Sequence, residues 1–78
     1  MKAKILTDSN SLLTMFRLGA IEGELVSTNN FEKVFDKSID DENLAILIVT
    51  RSVYQKNSIK IDNFRKDNSM PLIVTIDG

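Results

Sequence analysis

Cysteine and histidine are both absent from the 78 residues of this chain. Without cysteine the chain has no disulfide framework and no thiolate metal site. Without histidine it lacks the usual acid–base group of near-neutral pH and the commonest zinc ligand. Because no nucleophile–base pair can be assembled from Ser11, Ser52 or Tyr54, we expect no catalysis by this chain alone and predict neither a cofactor nor a metal site.

The chain also lacks an excess of either charge and a long apolar run. Ten basic and eleven acidic residues give a net charge of −1, without the basic stripe of a nucleic-acid binder. The longest apolar run, LAILIV at 44–49, is too short to cross a membrane, and the first ten residues do not form a signal peptide. These features predict one soluble, cytoplasmic domain over residues 1–78.

Strand-like and helix-like patterns alternate along the sequence. Apolar runs and turn residues predict strands at 3–7, 24–27, 44–50 and 71–76. Apolar residues at i, i+3 and i+4 predict helices at 10–18, 30–39 and 52–66. The third helix has Asn57 as a polar interruption.

Short polar residues and one glycine predict where the first two helices begin and end. Asp8 or Ser9 can cap the first helix, because a short side-chain oxygen can accept from the free N–H groups of its first turn. Gly19 suits the left-handed position just beyond that helix. Asn29 and Glu32 form a capping-box-like pair at the second helix.

The β-α-β-α-β-α-β order predicts a four-stranded parallel α/β sheet of truncated flavodoxin-like or receiver-like topology, with strand order 2-1-3-4. The first helix should lie on one face and the other two helices on the opposite face. The third strand would then direct Leu44, Ile46 and Ile48 to one face and Ala45, Leu47 and Val49 to the other. One helix cannot cover four strands, so we expect either a further helix beyond Gly78 or a partner protein to supply the missing cover.

Nucleotide and phosphoryl chemistry find little support in the sequence. The segment after the first strand, TDSNSLL, contains no glycine, which argues against a phosphate-binding loop. A phospho-acceptor receiver domain would need an acidic residue where this chain has Thr50. A stand-alone receiver-like regulatory or ligand-binding domain nevertheless remains the alternative function.

Three segments together resemble a known family. FRLGAIEG at 16–23, ILIVTRSV at 46–53 and MPLIVTIDG at 70–78 are similar to the F subunit of the V-type and A-type rotary ATPases. This chain has Arg51 where that family has an acidic residue, Gly19-Ala20 where it has alanine-glycine, and Asp77 where it has a closing proline. The C-terminal helical segment usual in the family is absent from the sequence.

The resemblance implies a non-catalytic component of the central rotor stalk. Such a component docks on the coiled-coil D subunit of the rotor, among other ATPase subunits, and couples ATP hydrolysis or synthesis to proton or sodium transport. It would be cytoplasmic and peripheral to the membrane through the complex, without insertion and without nucleic acid as a partner. We expect the partner interface on the first helix and at the carboxyl end of the third strand, at Met15, Phe16, Arg17, Thr50, Arg51, Ser52, Val53 and Tyr54.

Overall fold

A computed structural model describes residues 2–77 of the chain. Its strands and helices alternate, apart from two consecutive helices before the last strand. They are β1 Lys2–Thr7, α1 Asn10–Leu18, β2 Glu22–Leu25, α2 Phe31–Ile39, β3 Leu44–Thr50, α3 Arg51–Lys56, α4 Ser58–Asp67 and β4 Leu72–Ile76. All strand pairs are parallel and the order is β2-β1-β3-β4, which confirms the predicted α/β fold.

The main core lies between the sheet and the helices α2, α3 and α4. The sheet contributes Leu6, Leu47, Val49 and Ile73, and their side chains are almost completely buried. The helices contribute a second set of buried side chains, namely Phe31, Val34, Phe35, Val53 and Ile61. Because side chains alternate along a strand, the other side of the sheet is left to α1 alone.

The start of β3 departs from regular alternation. The register with β1 shifts between Lys2 and Ala3, which leaves one extra residue on β3. Leu44 therefore joins the core beneath α2 and does not share a face with Ile46, contrary to the sequence prediction.

The second strand lies two residues earlier than predicted, at Glu22–Leu25, so Gly23 is inside the strand and not before it. A Cβ added at Gly23 would lie 2.5 Å from Leu13 Cδ1 and 2.7 Å from Ile5 Cγ2. Gly23 therefore allows α1 to approach the sheet closely.

The helix ends also differ in detail from the predictions. Ser9 caps α1 by accepting from the Leu12 N–H at 3.3 Å, which confirms Ser9 over Asp8 as the predicted cap. Gly19 follows α1 with φ −88°, and it is Ala20 that takes the left-handed conformation, with φ 64°. At the start of α2, the Asn30 side chain accepts from the Ser27 N–H at 2.6 Å, so the predicted capping box does not form.

The predicted third helix is divided into α3 and α4 at Asn57, whose backbone has φ −133° and ψ 25°. Asn57 Nδ2 donates to the carbonyl of Val53 at 2.9 Å. Its backbone N–H donates to the carbonyl of Tyr54 at 3.0 Å. The asparagine thus closes a tight turn with its own side chain, which competes with continuation of the helix.

Candidate docking surface

The carboxyl end of β1 is joined to α3 by a polar contact. Ser52 Oγ donates to both carboxylate oxygens of Asp8, at 2.9 and 3.0 Å. Lys56 Nζ lies 3.9 Å from the same carboxylate. Asp8 therefore ties strand to helix and does not cap α1, and Ser52 is engaged by Asp8 while Thr50 occupies the N-cap position of α3.

The rest of the predicted interface at 50–54, which is the end of β3 and the first turn of α3, presents few free side chains. Thr50 and Val53 are buried, and among residues 2–77 the Thr50 hydroxyl has no hydrogen-bond partner. Arg51 is exposed and forms an ion pair with Asp77. Of these five residues, Arg51 therefore offers the most accessible side chain.

Tyr54 packs half-buried against the core. Its hydroxyl donates to both oxygens of Asp62, at 2.8 and 2.9 Å. The Arg65 guanidinium lies 5.8 Å from the centre of the Tyr54 ring. The hydrogen bond to Asp62, and then burial, raise the pKa of Tyr54 above its usual value. The residue thus fastens α3 to α4.

The three predicted interface residues of α1 face different surroundings. Met15 is exposed, Phe16 is half-buried, and Arg17 is exposed. Arg17 lines a cleft of about 460 Å³ together with Ile21 and Glu24 at the β2 edge of the sheet. Arg17 therefore lies away from the β3–β4 half of the sheet, since α1 packs on β1 and β2.

On the α1 side, the β3–β4 half of the sheet presents an uncharged surface. Because Arg17 lies at the β2 edge, the helical rotation of 100° per residue puts Met15 on the opposite flank of α1, toward β3. From that flank to the sheet edge the exposed or half-buried side chains are all apolar. We name this surface the neutral face and define it by Met15, Ile46, Ile48, Leu72, Val74 and Ile76.

Exposure on the neutral face is unusual for side chains of this type. Met15 is 64% exposed, Leu72 55%, Ile46 37% and Val74 36%. Together they form an apolar patch of a few hundred Å², which is the size of the largest patch on a typical monomer, and such a patch is often functional. The sequence indicated that this side lacked cover, but our site prediction included Met15 alone of these six residues.

Charge is distributed unequally between the two sides of the sheet. On the α2 side, β1 and β2 carry Lys2, Lys4, Glu22 and Glu24, and Lys4 Nζ contacts Glu24 at 2.8 Å. In the described chain, no strand residue on the α1 side is charged, and Arg17 is the one charged residue within α1. Depletion of charge in an apolar patch is typical of the core of a protein interface.

A second open surface lies between α2 and α4. A groove of about 900 Å³ is floored by Phe35, Ile39 and Phe64. Lys60 bridges it, with Nζ 3.0 Å from Asp36. This hydrogen bond is the main cause that raises the pKa of Lys60. The ion pair crosses the groove and joins the two helices.

The described residues show no grouping suited to a metal ion and no membrane-spanning helix. Within 2–77, no three acidic, histidine or cysteine side chains cluster as metal ligands would. No helix in this range is long and apolar enough to cross a bilayer.

The fold and its surface define a small doubly wound α/β domain whose most distinctive feature is an exposed, uncharged apolar face. Residues 4–78 match the sequence model of a family described as ATP synthase (F/14-kDa) subunit. The chain therefore belongs to this family of ATP synthase subunits. Comparison with curated proteins and with solved structures gave no match.

Proposed function

We propose that this chain is a non-catalytic component of the central rotor stalk in a V-type or A-type ATPase. It docks on the coiled-coil D subunit, hereafter the coiled-coil rotor subunit, and thereby helps to couple ATP hydrolysis or synthesis to ion transport. The observation that carries this proposal is the family membership over residues 4–78. The domain lies in the cytoplasm and reaches the membrane through the complex.

The side-chain chemistry supports a docking role over a catalytic one. The hydroxyls of Ser52 and Tyr54 both donate to carboxylates that link elements of the fold. Catalysis would need a nucleophile hydrogen-bonded to a base and free to meet a substrate. These hydroxyls instead stiffen the domain, which suits a component that transmits torque.

The predicted interface divides into exposed contacts and supporting residues. Met15, Arg17 and Arg51 can reach a partner directly, and the half-buried Phe16, Ser52 and Tyr54 can contribute at their exposed edges. Buried Thr50 and Val53 pack the end of β3 and the first turn of α3 into the domain. Apolar contacts supply most of the affinity in such an interface, and the charged rim orients the partner.

Size-exclusion chromatography with the purified coiled-coil rotor subunit of the same complex tests this proposal. We expect a one-to-one complex at micromolar concentration and a melting temperature above that of the free chain, because a partner that binds the folded state stabilises it. An unrelated two-stranded coiled coil serves as the control and should elute separately. Separate elution of this chain and the coiled-coil rotor subunit would show that the proposal is wrong.

A further inference from the structure

We propose that the neutral face docks one amphipathic helix of the partner through an aliphatic stripe, and this inference rests on the proposed function. The face continues from the flank of α1 across β3 and β4 to the edge of the sheet. Four of its side chains are more than a third exposed, and no strand residue on this side is charged in the described chain. The neutral face is therefore complementary to a partner surface that is itself apolar and uncharged.

The dimensions of the neutral face match one helix. α1 lies over β1 and β2, so two strands remain beside it, and two strand spacings span about 10 Å. That width is the diameter of an α-helix with its side chains, roughly 10 Å. The five residues of β4 extend about 17 Å, the length of some eleven helical residues or three turns.

A second copy of this chain is the other occupant to compare with a helix. A stable dimer buries on the order of 800 Å² from each partner, of which somewhat more than half is apolar, so the area of the neutral face suits either occupant. The width of the face and the helical cover that parallel sheets require favour a helix. Sedimentation of the free chain separates the two.

A strand added at β4 also fits less well than a helix. Arg65 Nη2 donates to the carbonyl of Ile73 at 2.9 Å, so a charged side chain lies against the backbone of the edge strand. Long charged side chains at an edge hinder pairing with another strand. Parallel sheets are moreover covered by helices on both faces, and here only one half of the α1 side has its helix.

The test compares lysine substitutions on opposite sides of the sheet in binding to the coiled-coil rotor subunit. Leu72→Lys and Val74→Lys place an ammonium group on the neutral face, and each should weaken binding at least tenfold because that group would lose its water on docking. Ile59→Lys is the matched control, since Ile59 is 78% exposed on α4 and should tolerate lysine without loss of binding. Val74→Thr keeps the branched shape in the strand and should weaken binding less than Val74→Lys.

The outcomes separate this inference from the proposed function. Absence of binding by the unsubstituted chain overturns both. Binding that survives Leu72→Lys and Val74→Lys overturns the neutral face as the site but leaves docking on the coiled-coil rotor subunit intact. A concentration-dependent dimer of the free chain that Leu72→Lys abolishes in sedimentation would identify a second copy as the occupant and overturn the helix.

Nuclear magnetic resonance of the complex distinguishes a helix from a strand. A docked helix should shift the methyl signals of Ile46, Leu72 and Val74, because these groups form its floor. The outer amides of β4 should keep the hydrogen exchange that they show in the free chain. Strong new protection of those amides would indicate an added strand and would overturn the proposal.

Discussion

At the residue scale, the end of α1 carries a conformational cost at a single position. The Ala20 N–H donates to Arg17 and the Ile21 N–H to Phe16, at 3.0 and 2.9 Å. These two bonds form a Schellman motif, which requires the residue just after the C-cap to adopt the left-handed conformation. Ala20 meets this requirement with φ 64°, a conformation that the Cβ of alanine disfavours.

Ala20→Gly should therefore stabilise the chain by about 1 kcal/mol, because glycine adopts the left-handed conformation without a steric penalty. Urea unfolding measures the change. Gly19→Ala is the informative comparison: Gly19 has φ −88° and an added Cβ would lie in ordinary contact, 3.5 Å from the Phe16 carbonyl. That substitution should be neutral or slightly stabilising. A large loss of stability for Gly19→Ala would mean that Gly19 holds the left-handed position.

This position shows a limit of reasoning from local sequence. The pattern predicted that α1 ends near Leu18, and it does. Glycine is the usual residue of a left-handed helix end, so Gly19 was the natural choice. The structure places the left-handed residue one position later, because Gly19 is the C-cap and still donates to the carbonyls of the last turn, while the left-handed residue of the motif is the one after the cap. The apolar pattern gives the approximate end of the helix but does not specify which residue is the cap.

Gly23→Ala should destabilise the chain by about 1–3 kcal/mol, since overpacking forces the surrounding side chains to move. The added Cβ would meet Leu13 Cδ1 and Ile5 Cγ2 inside van der Waals contact. Thermal unfolding measures the loss. In a double-mutant cycle, Leu13→Val removes the nearest methyl group and should recover part of it. Strictly additive effects would contradict the contact.

At the element scale, the division between α3 and α4 decides what Tyr54 does. The turn at Asn57 brings Tyr54 to Asp62 and lets both helices pack on the core. Asn57 was visible in the sequence as a polar interruption, but its side-chain bond to Val53 depends on a backbone geometry that the pattern alone does not specify.

The single tyrosine of the chain allows its ionisation to be followed by absorbance. The Asp62 hydrogen bond raises the pKa of Tyr54 above its ordinary value of 10.0, so a spectrophotometric titration of the phenolate should give a midpoint above that value. Asp62→Asn should lower the midpoint, and Asp67→Asn, at an exposed position further along α4, should not.

The same contact predicts how stability changes in alkali. The pKa of Tyr54 is higher in the folded state than in the unfolded state. The contribution of Tyr54 to the free energy of unfolding is therefore fully present below about pH 10, the unfolded pKa, and is lost as pH rises through the raised folded-state pKa. As pH rises between these two pKa values, the free energy of unfolding should fall less for Tyr54→Phe than for the unsubstituted chain. Equal losses in urea unfolding would indicate that other groups, such as the lysines, cause the alkaline change.

At the scale of the whole molecule, the strand order and the unequal distribution of helices between the two faces could be predicted from the sequence. Alternating apolar strands and helices leave few right-handed parallel arrangements. The shortage of cover on the α1 side followed from the same reasoning. The side to which Arg17 points did not follow, because a helical pattern gives the angle between residues but not which flank faces which strand. The interface prediction therefore included the charged Arg17 and Arg51, and it included only Met15 of the uncharged neutral face.

Ionic strength distinguishes these two kinds of interface. If the neutral face supplies most of the affinity, the dissociation constant with the coiled-coil rotor subunit should change by less than about threefold between roughly 50 and 500 mM salt, because burial of apolar surface involves no screened charges. If exposed Arg17 and Arg51 anchored the complex, the same change should weaken binding by about tenfold or more, since salt screens exposed charges at these distances. Isothermal titration calorimetry measures the constant directly.

The heat capacity change of binding provides the second criterion: docking of an apolar helix should make it clearly negative. A strong salt dependence with a small heat capacity change would indicate that the arginines, and not the neutral face, form the interface.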